Sequence, residues 1–254
     1  MLAIGSTSNL HTSMYFFIDT LSSVDICFTS FTVPKMLLNI QTQSQAIPYM
    51  VCLTQIYFLI LFLELDNILL AMMAYDRFVA ICHPLHYATT ISPQHCITSV
   101  PEALIVTNFY PLIHTVLMST LSFCTSVRIH HIFCELYEFL KLSCSDIHFI
   151  ELVVYTMRSF LFVIPFVCIS ASCMQNFSAI LRLWSSQDKL KAFSTCSPQP
   201  AVVSLFYRTL FGVSLLPSSS YTAKDSVAMV LYAVVPPMFN PFIYSQRNKD
   251  MKGA

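Results

Sequence analysis

The chain has 254 residues, of which 56% are apolar and only 10% are charged, and its 13 basic residues balance its 13 acidic residues. A soluble domain carries about 25% charged residues. This balance excludes a disordered chain, an ordinary soluble enzyme and a nucleic-acid-binding protein, and it indicates a membrane protein.

Long apolar stretches predict membrane-spanning helices, since a span needs about 20 mostly apolar residues. The stretches that qualify are residues 13–40, 52–81, 97–118, 150–181, 192–216 and 226–246. They lack the strict alternation of a membrane β-strand. The predicted fold class is therefore all-α, a multi-pass transmembrane helical bundle with six spans embedded in a lipid bilayer.

The placement of charge predicts the orientation of this bundle. Basic residues follow the fourth and sixth stretches, at Arg182, Lys189, Lys191, Arg247, Lys249 and Lys252. The positive-inside rule puts these segments in the cytoplasm. The connection at 124–145 then lies on the outer side.

Four cysteines fall on the outer side. Cys124, Cys134 and Cys144 are spaced by ten residues in the outer connection, and Cys52 begins the second stretch. Cysteines on an oxidising side predict two disulfides, and their spacing leaves three pairings open. A zinc site is the alternative, because His130 and His131 lie close to Cys134 in the sequence.

Two acidic residues, Asp25 and Asp66, fall within predicted spans. A charge in the bilayer normally faces the bundle interior and has a partner. Because hard cations prefer oxygen ligands, these two carboxylates could together hold a sodium ion. Protonated carboxyl groups that form hydrogen bonds are the alternative.

The segment MAYDRFVAICHPLHY, residues 73–87, places Asp76 and Arg77 where an apolar run ends at the predicted cytoplasmic side. Asp76 can hold Arg77 as a neighbouring ion pair until another group competes for the guanidinium. The dipeptide alone carries little information, but the full segment is specific.

The order of the motifs resembles that of the olfactory receptors, a family of rhodopsin-like G-protein-coupled receptors. The motifs are HTSMYFF at 11–17, LSSVDICF at 21–28, the segment at 73–87, KAFSTC at 191–196 and PMFNPFIYSQRNKDMKGA at 237–254. The resemblance implies that the six stretches match the second to seventh spans of a seven-span receptor. Residues 1–254 would then form a single receptor transmembrane domain that lacks most of the first span.

The resemblance also implies roles for individual residues. Tyr75, Asp76 and Arg77 would serve G-protein coupling, with Asp76 restraining Arg77 at rest. The switch of the seventh span would be formed by Asn240, Pro241 and Tyr244. The implied disulfides join Cys52 to Cys134 and Cys124 to Cys144.

Odorants in such receptors bind among the third, fifth, sixth and seventh spans. The positions that match here are Leu59, Ile60, Leu63, Met157, Leu161, Tyr207, Leu210 and Val230. Most are apolar, as a pocket for a small volatile molecule requires, and Tyr207 adds a hydrogen-bonding group. Asp25 and Asp66 match the acidic pair associated with sodium in the superfamily, and no other cofactor is implied.

The predicted function is that of an odorant receptor in the cell membrane that activates a heterotrimeric G protein. No enzyme activity is expected, since no nucleophile–base or metal-ligand constellation occurs on one side of the membrane. The alternative is a truncated, pseudogene-like fragment that does not signal and is retained in the endoplasmic reticulum or associates with intact receptors. The departures that favour it include Pro198, Pro200 and Arg208 in the sixth-span region, besides the lost first span.

Overall fold

The computed structural model describes residues 13–42, 46–87, 91, 93–121, 129–130, 148–182 and 185–214. The helices in this part of the chain are α1 (Ser13–Thr42), α2 (Tyr49–Cys82), α3 (Pro93–Ser119), α4 (His148–Leu181), α5 (Ser186–Cys196) and α6 (Pro198–Ser214). Two short strands, β1 (Ala46–Ile47) and β2 (Ile129–His130), form an antiparallel pair.

Four of these helices are long and apolar enough to cross a membrane. They contribute Ser13–Pro34 of α1, the whole of α2, Gln94–Ser119 of α3 and the whole of α4. The prediction of a helical membrane bundle is therefore confirmed. The predicted stretch at 226–246 lies outside the described residues, so the count of six spans stays a prediction.

The predicted stretch at 192–216 is divided between two helices. Helix α5 ends at Cys196 and α6 begins at Pro198. Proline has no backbone N–H and its ring fixes φ, so it is favoured in the first turn of a helix and disfavoured in the interior. The described part of this stretch therefore contains a helix boundary, for which Pro198 is the physical reason, and its role as a membrane span stays a prediction.

Hydroxyl side chains make α1 compatible with a membrane. The hydroxyls of Thr20, Ser22, Ser23 and Thr29 each donate to the carbonyl oxygen four residues earlier, at 2.8–2.9 Å. Ser and Thr commonly make this bond when they occur inside a helix. These polar groups therefore need no water or partner helix.

Helix α2 is the central helix, and it packs against α1, α3 and α4. Its fully buried Leu69 belongs to one apolar cluster with Leu21 of α1, Ile169 of α4 and Phe206 of α6. Several helices thus bury apolar side chains against α2. The inward-facing residues of α2 therefore lie at the centre of the bundle.

A second apolar cluster lies at the predicted outer end of the bundle. It joins Cys52 at the start of α2, Met118 at the end of α3 and Ile150 at the start of α4. Nearby in sequence, β1 pairs with β2, with Ala46 opposite His130. This pairing ties the segment before α2 to the connection between α3 and α4.

The outward face of α4 is apolar and exposed. Only 12% of the most apolar 18-residue segment of α4 is buried inside the protein. Phe160, Val163, Ile164 and Val167 are among the exposed side chains. An apolar face of this extent would be costly in water and is suited to lipid.

Candidate ligand and signalling sites

A buried polar contact joins three helices at Asn67, a fully buried residue of α2. Its Nδ2 donates to the carbonyl oxygen of Leu161 in α4 at 2.9 Å. Its Oδ1 accepts a hydrogen bond from the hydroxyl of Tyr207 in α6 at 2.6 Å. We call these three residues the Asn67 node.

The sequence of α4 explains why its backbone needs Asn67. Pro165 lies inside α4, four residues after Leu161, where a helix normally supplies the N–H for the Leu161 carbonyl. Proline has no N–H, so this carbonyl loses its intrahelical partner. A buried carbonyl without a partner is costly, and the Asn67 amide replaces the missing donor.

Aromatic rings surround the Tyr207 end of the node. The Phe166 ring meets Tyr207 edge to face with centroids 4.9 Å apart, and the Phe206 ring does so at 5.4 Å. A hydrogen bond is stronger in such apolar surroundings than in water. The node therefore fixes α6 against α2 and α4 at one point.

The structure brings two predicted pocket residues, Leu161 and Tyr207, together through Asn67. The other predicted positions on described side chains are partly buried on α2 or α4, namely Leu59, Ile60, Leu63 and Met157. Leu210 belongs to α6, but its side chain and the whole of Val230 lie outside the described part of the chain. Arg208 is exposed, so it does not point into the interior beside Tyr207.

The two acidic residues of the predicted sodium site are both buried. Asp25 of α1 is 3% exposed and Asp66 of α2 is 7% exposed. The two carboxyl groups are close enough to interact electrostatically. Asp66 Oδ1 is shielded from solvent and has no hydrogen-bond partner among the described residues. A buried oxygen of this kind, next to a second carboxylate, fits a hard cation.

A second polar cluster lies at the predicted cytoplasmic end of α2. Asp76 is 2% exposed, and its Oδ1 accepts hydrogen bonds from Ser13 Oγ at 2.6 Å and from the Tyr87 hydroxyl at 3.1 Å. The two hydroxyl oxygens also lie 2.6 Å apart, and either can donate to the other. Since each hydroxyl has one proton, the three contacts share two protons. This Asp76 cluster ties the start of α1 and the segment after α2 to α2 itself.

The partners of Asp76 differ from the sequence expectation. Within the described residues, no ion pair joins Asp76 to Arg77, and the carboxylate is held by two neutral hydroxyls instead. Adjacent residues on a helix do not face each other, so an inward Asp76 directs Arg77 elsewhere. Arg77 is partly buried, and Tyr75 is exposed.

The environment of Tyr87 keeps it a donor to Asp76. Burial raises the pKa of the Tyr87 phenol above its ordinary value of 10.0, and the negative charge of Asp76 adds to this effect, while a hydrogen bond from Ser13 opposes it. Ionisation would put two negative charges side by side. The phenol therefore stays protonated across the physiological pH range and can hold the carboxylate.

Cys52 is fully buried and disulfide-bonded, and its partner lies outside the described residues. Cys124, Cys134 and Cys144 also lie outside them, so the predicted pairings stay predictions. The pairing of β1 with β2 brings the connection that contains Cys134 near the start of α2. Asn240, Pro241 and Tyr244 fall in the undescribed part as well. In the described part, no group of three or more His, Cys, Asp or Glu side chains is placed to hold a metal ion.

Helices that can cross a membrane, with polar contacts between them in the interior, define an α-helical membrane protein. A family model described as olfactory receptor matches residues 1–254. The chain belongs to the olfactory receptor family of G-protein-coupled receptors, a family of receptors and not of enzymes.

Curated relatives agree with the family model. The chain is 52% identical over 254 residues to olfactory receptor 1D2 of Gorilla gorilla gorilla, which covers 100% of this chain and 81% of the relative. Its identity to olfactory receptor 1D2 of Homo sapiens is the same, with the same coverage. It is also 53% identical over 255 residues to olfactory receptor 1f45 of Rattus norvegicus, covering 100% of the chain and 82% of the relative.

Proposed function

We propose that this chain binds small volatile odorants inside the bundle and activates a heterotrimeric G protein from the cell membrane. The family supports this general role. The observation that carries the proposal is the Asn67 node, because it joins α2, α4 and α6 beside two positions where such a ligand would bind, Leu161 and Tyr207.

The proposed pocket has an apolar wall and a polar floor. Leu59, Ile60 and Leu63 precede Asn67 on α2, and Met157 precedes Leu161 on α4. A small volatile molecule has little polar surface, so apolar contact provides most of its binding free energy. The Tyr207 hydroxyl and the Asn67 amide are the groups that would orient it. Leu210 and Val230 complete the proposed set.

Helix α2 connects the proposed pocket to the cytoplasmic side. Asp76 follows Asn67 by nine residues, which a helix spans in about 13–14 Å. A ligand that alters the Asn67 node favours one arrangement of α6 against α2. If that arrangement also opens the Asp76 cluster, the ligand shifts the population towards a state in which Arg77 can meet the G protein.

The family resemblance supplies the parts of this proposal that the described residues do not reach. Asn240, Pro241 and Tyr244 would form the switch of the last span. Disulfides from Cys52 to Cys134 and from Cys124 to Cys144 would hold the outer connection over the pocket. The full bundle would then have the six spans that the sequence predicts.

The test of the proposal combines surface staining with guanine-nucleotide exchange. The chain is tagged between Cys134 and Cys144 and expressed in a cell line that exports olfactory receptors, with human olfactory receptor 1D2 as the control for export. We expect staining of intact cells, and odorant-dependent exchange on at least one G protein of a panel. Staining only after permeabilisation would instead support the retained, non-signalling alternative. Surface protein that no odorant of a broad panel activates would contradict the proposed function.

Sodium binding at Asp25 and Asp66 is a separate proposal with its own measurement. Sodium chloride at about 0.15 M ionic strength is expected to raise the apparent Tm of the purified protein by roughly 3–6 °C over N-methylglucamine chloride, because a bound ion stabilises only the folded state. Asp66→Asn should abolish this difference, whereas Glu102→Gln, which alters an exposed acid of α3, should preserve it. An equal response of both variants to sodium would show that the ion binds elsewhere.

A further inference from the structure

A cavity of about 260 Å³ lies between α1 and α2, away from the Asn67 node. Its wall includes Phe31 and Thr32 of α1, and Val51, Gln55 and Phe58 of α2. The volume is just below the range of about 300–1,000 Å³ that is usual for ligand pockets, so it suits a small molecule. Gln55 precedes Asn67 by twelve residues, or about 18 Å along the helix, towards the outer side.

Gln55 carries the side-chain amide of this wall. Its Oε1 and its Nε2 are both shielded from solvent, and neither has a hydrogen-bond partner among the described residues. Leaving a buried donor and a buried acceptor unpaired is unfavourable, and a native protein rarely does so without a reason. Because both atoms are shielded, the side chain must rotate for its amide to face the cavity. A ligand that offers an acceptor and a donor side by side would then satisfy both groups at once.

The rest of the wall determines what such a ligand looks like. The rings of Phe31 and Phe58 stack with their centroids 4.4 Å apart, which provides an apolar surface. The hydroxyl of Thr54 already donates to the Met50 carbonyl at 2.8 Å. None of the described wall residues is charged, so an ionised carboxylate would find no cation. The wall therefore favours a neutral polar group on a short apolar chain.

We infer that this cavity is a second ligand site, which takes small neutral molecules with a primary amide group and a short hydrocarbon chain. The hydrocarbon lies against Phe31 and Phe58. Rotation of the Gln55 side chain lets its amide pair with the amide of the ligand, donor to acceptor in both directions. Leu59, one of the proposed odorant-pocket positions, also lies on this wall, whereas the three residues of the Asn67 node do not. Binding at this site does not depend on G-protein activation.

The test uses hexanamide and the full chain purified in lipid nanodiscs. A hexanamide analogue with a diazirine on its alkyl chain is photolysed with the protein, and the labelled residues are mapped by mass spectrometry. We expect labels within 31–32 and 50–59, and competition by excess hexanamide but not by hexane. Gln55→Leu should weaken hexanamide binding about tenfold, the value of one to two hydrogen bonds. It should also raise the apparent Tm, because an unpaired amide is replaced by an apolar group of similar size.

A second variant keeps the inference testable if Gln55→Leu misfolds. Val51→Phe fills the cavity without altering the amide, and it should abolish competed labelling. Tyr207→Phe, which alters the node, should leave labelling of 31–32 and 50–59 unchanged. Equal competition by hexane, labels confined to other helices, or unchanged affinity in Gln55→Leu would each overturn the inference. Since labelling needs no signalling, this site and the proposed receptor function can fail independently.

Discussion

Replacing Asn67 with leucine is expected to lower the free energy of unfolding by about 3 kcal/mol. Two buried groups would lose their partner at once, the Tyr207 hydroxyl and the Leu161 carbonyl, and each unpaired group costs about 1–3 kcal/mol. Leucine has the same number of side-chain heavy atoms and the same branching as asparagine and is larger, so none of the loss would come from a cavity. In a chain of this length, the apparent Tm should fall by roughly 6–12 °C, measured with the purified protein in nanodiscs.

A variant of Pro165 tests whether the cost of Asn67→Leu comes from the Leu161 carbonyl. Pro165→Ala restores an N–H that the Leu161 carbonyl can accept within α4. In that background, Asn67→Leu leaves only Tyr207 without its partner, so its cost should fall by about 1–2 kcal/mol in a double-mutant cycle. The matched control is Pro111→Ala, which removes a buried helix proline from α3 and should leave the cost of Asn67→Leu unchanged. If the cost is the same in all three backgrounds, the Leu161 carbonyl does not depend on Asn67.

Local sequence patterns predicted the helices well, because hydropathy and helix length are local properties. The predicted stretch at 13–40 became Ser13–Thr42, and the stretch at 150–181 became His148–Leu181. In the stretch at 192–216 the structure adds a helix boundary at Pro198. Sequence alone does not show which proline ends a helix, because membrane helices tolerate many interior prolines.

Contacts between distant residues were harder to predict. A polar Asn67 in an apolar helix and a Pro165 that frees a carbonyl were both visible in the sequence. Their match depends on how α2 and α4 are aligned, over the 94 residues that separate Asn67 from Leu161. The helical period predicts which residues share a face of one helix, but it does not predict which faces of two helices pack together. Asn67 was therefore missed, while its partners Leu161 and Tyr207 were identified through the family resemblance.

The partners of Asp76 were also not predicted from the sequence. The sequence suggested Arg77 as the partner, because the two residues are adjacent. The structure gives Asp76 a hydroxyl from Ser13, 63 residues earlier, and another from Tyr87, 11 residues later. Neighbouring residues on a helix point their side chains in different directions, whereas folding brings the distant Ser13 into contact with Asp76. The contacts of Asp76 therefore involve α1 as well as α2.

Replacing Asp76 with alanine is expected to raise odorant-independent nucleotide exchange several-fold. The variant removes the acceptor that ties Ser13 of α1 and Tyr87 to the end of α2. Hydrogen bonds to a carboxylate contribute about 1.5–3 kcal/mol each, so their loss can change the ratio of resting to active states by tenfold or more. Asp76→Asn keeps an oxygen that can accept, and its effect should be smaller. Exchange is measured with surface expression normalised for each variant.

Single-donor variants separate the cluster from a general loss of stability. Ser13→Ala and Tyr87→Phe should each raise basal exchange less than Asp76→Ala, and the double variant should approach it, because all three remove the same contacts. The matched controls are Ser22→Ala, whose hydroxyl bonds only its own helix at Ile18, and Tyr155→Phe on the exposed face of α4. Neither control should change basal exchange. Unchanged or reduced basal exchange in Asp76→Ala would contradict this restraint, and the resting state would then depend on contacts elsewhere in the bundle.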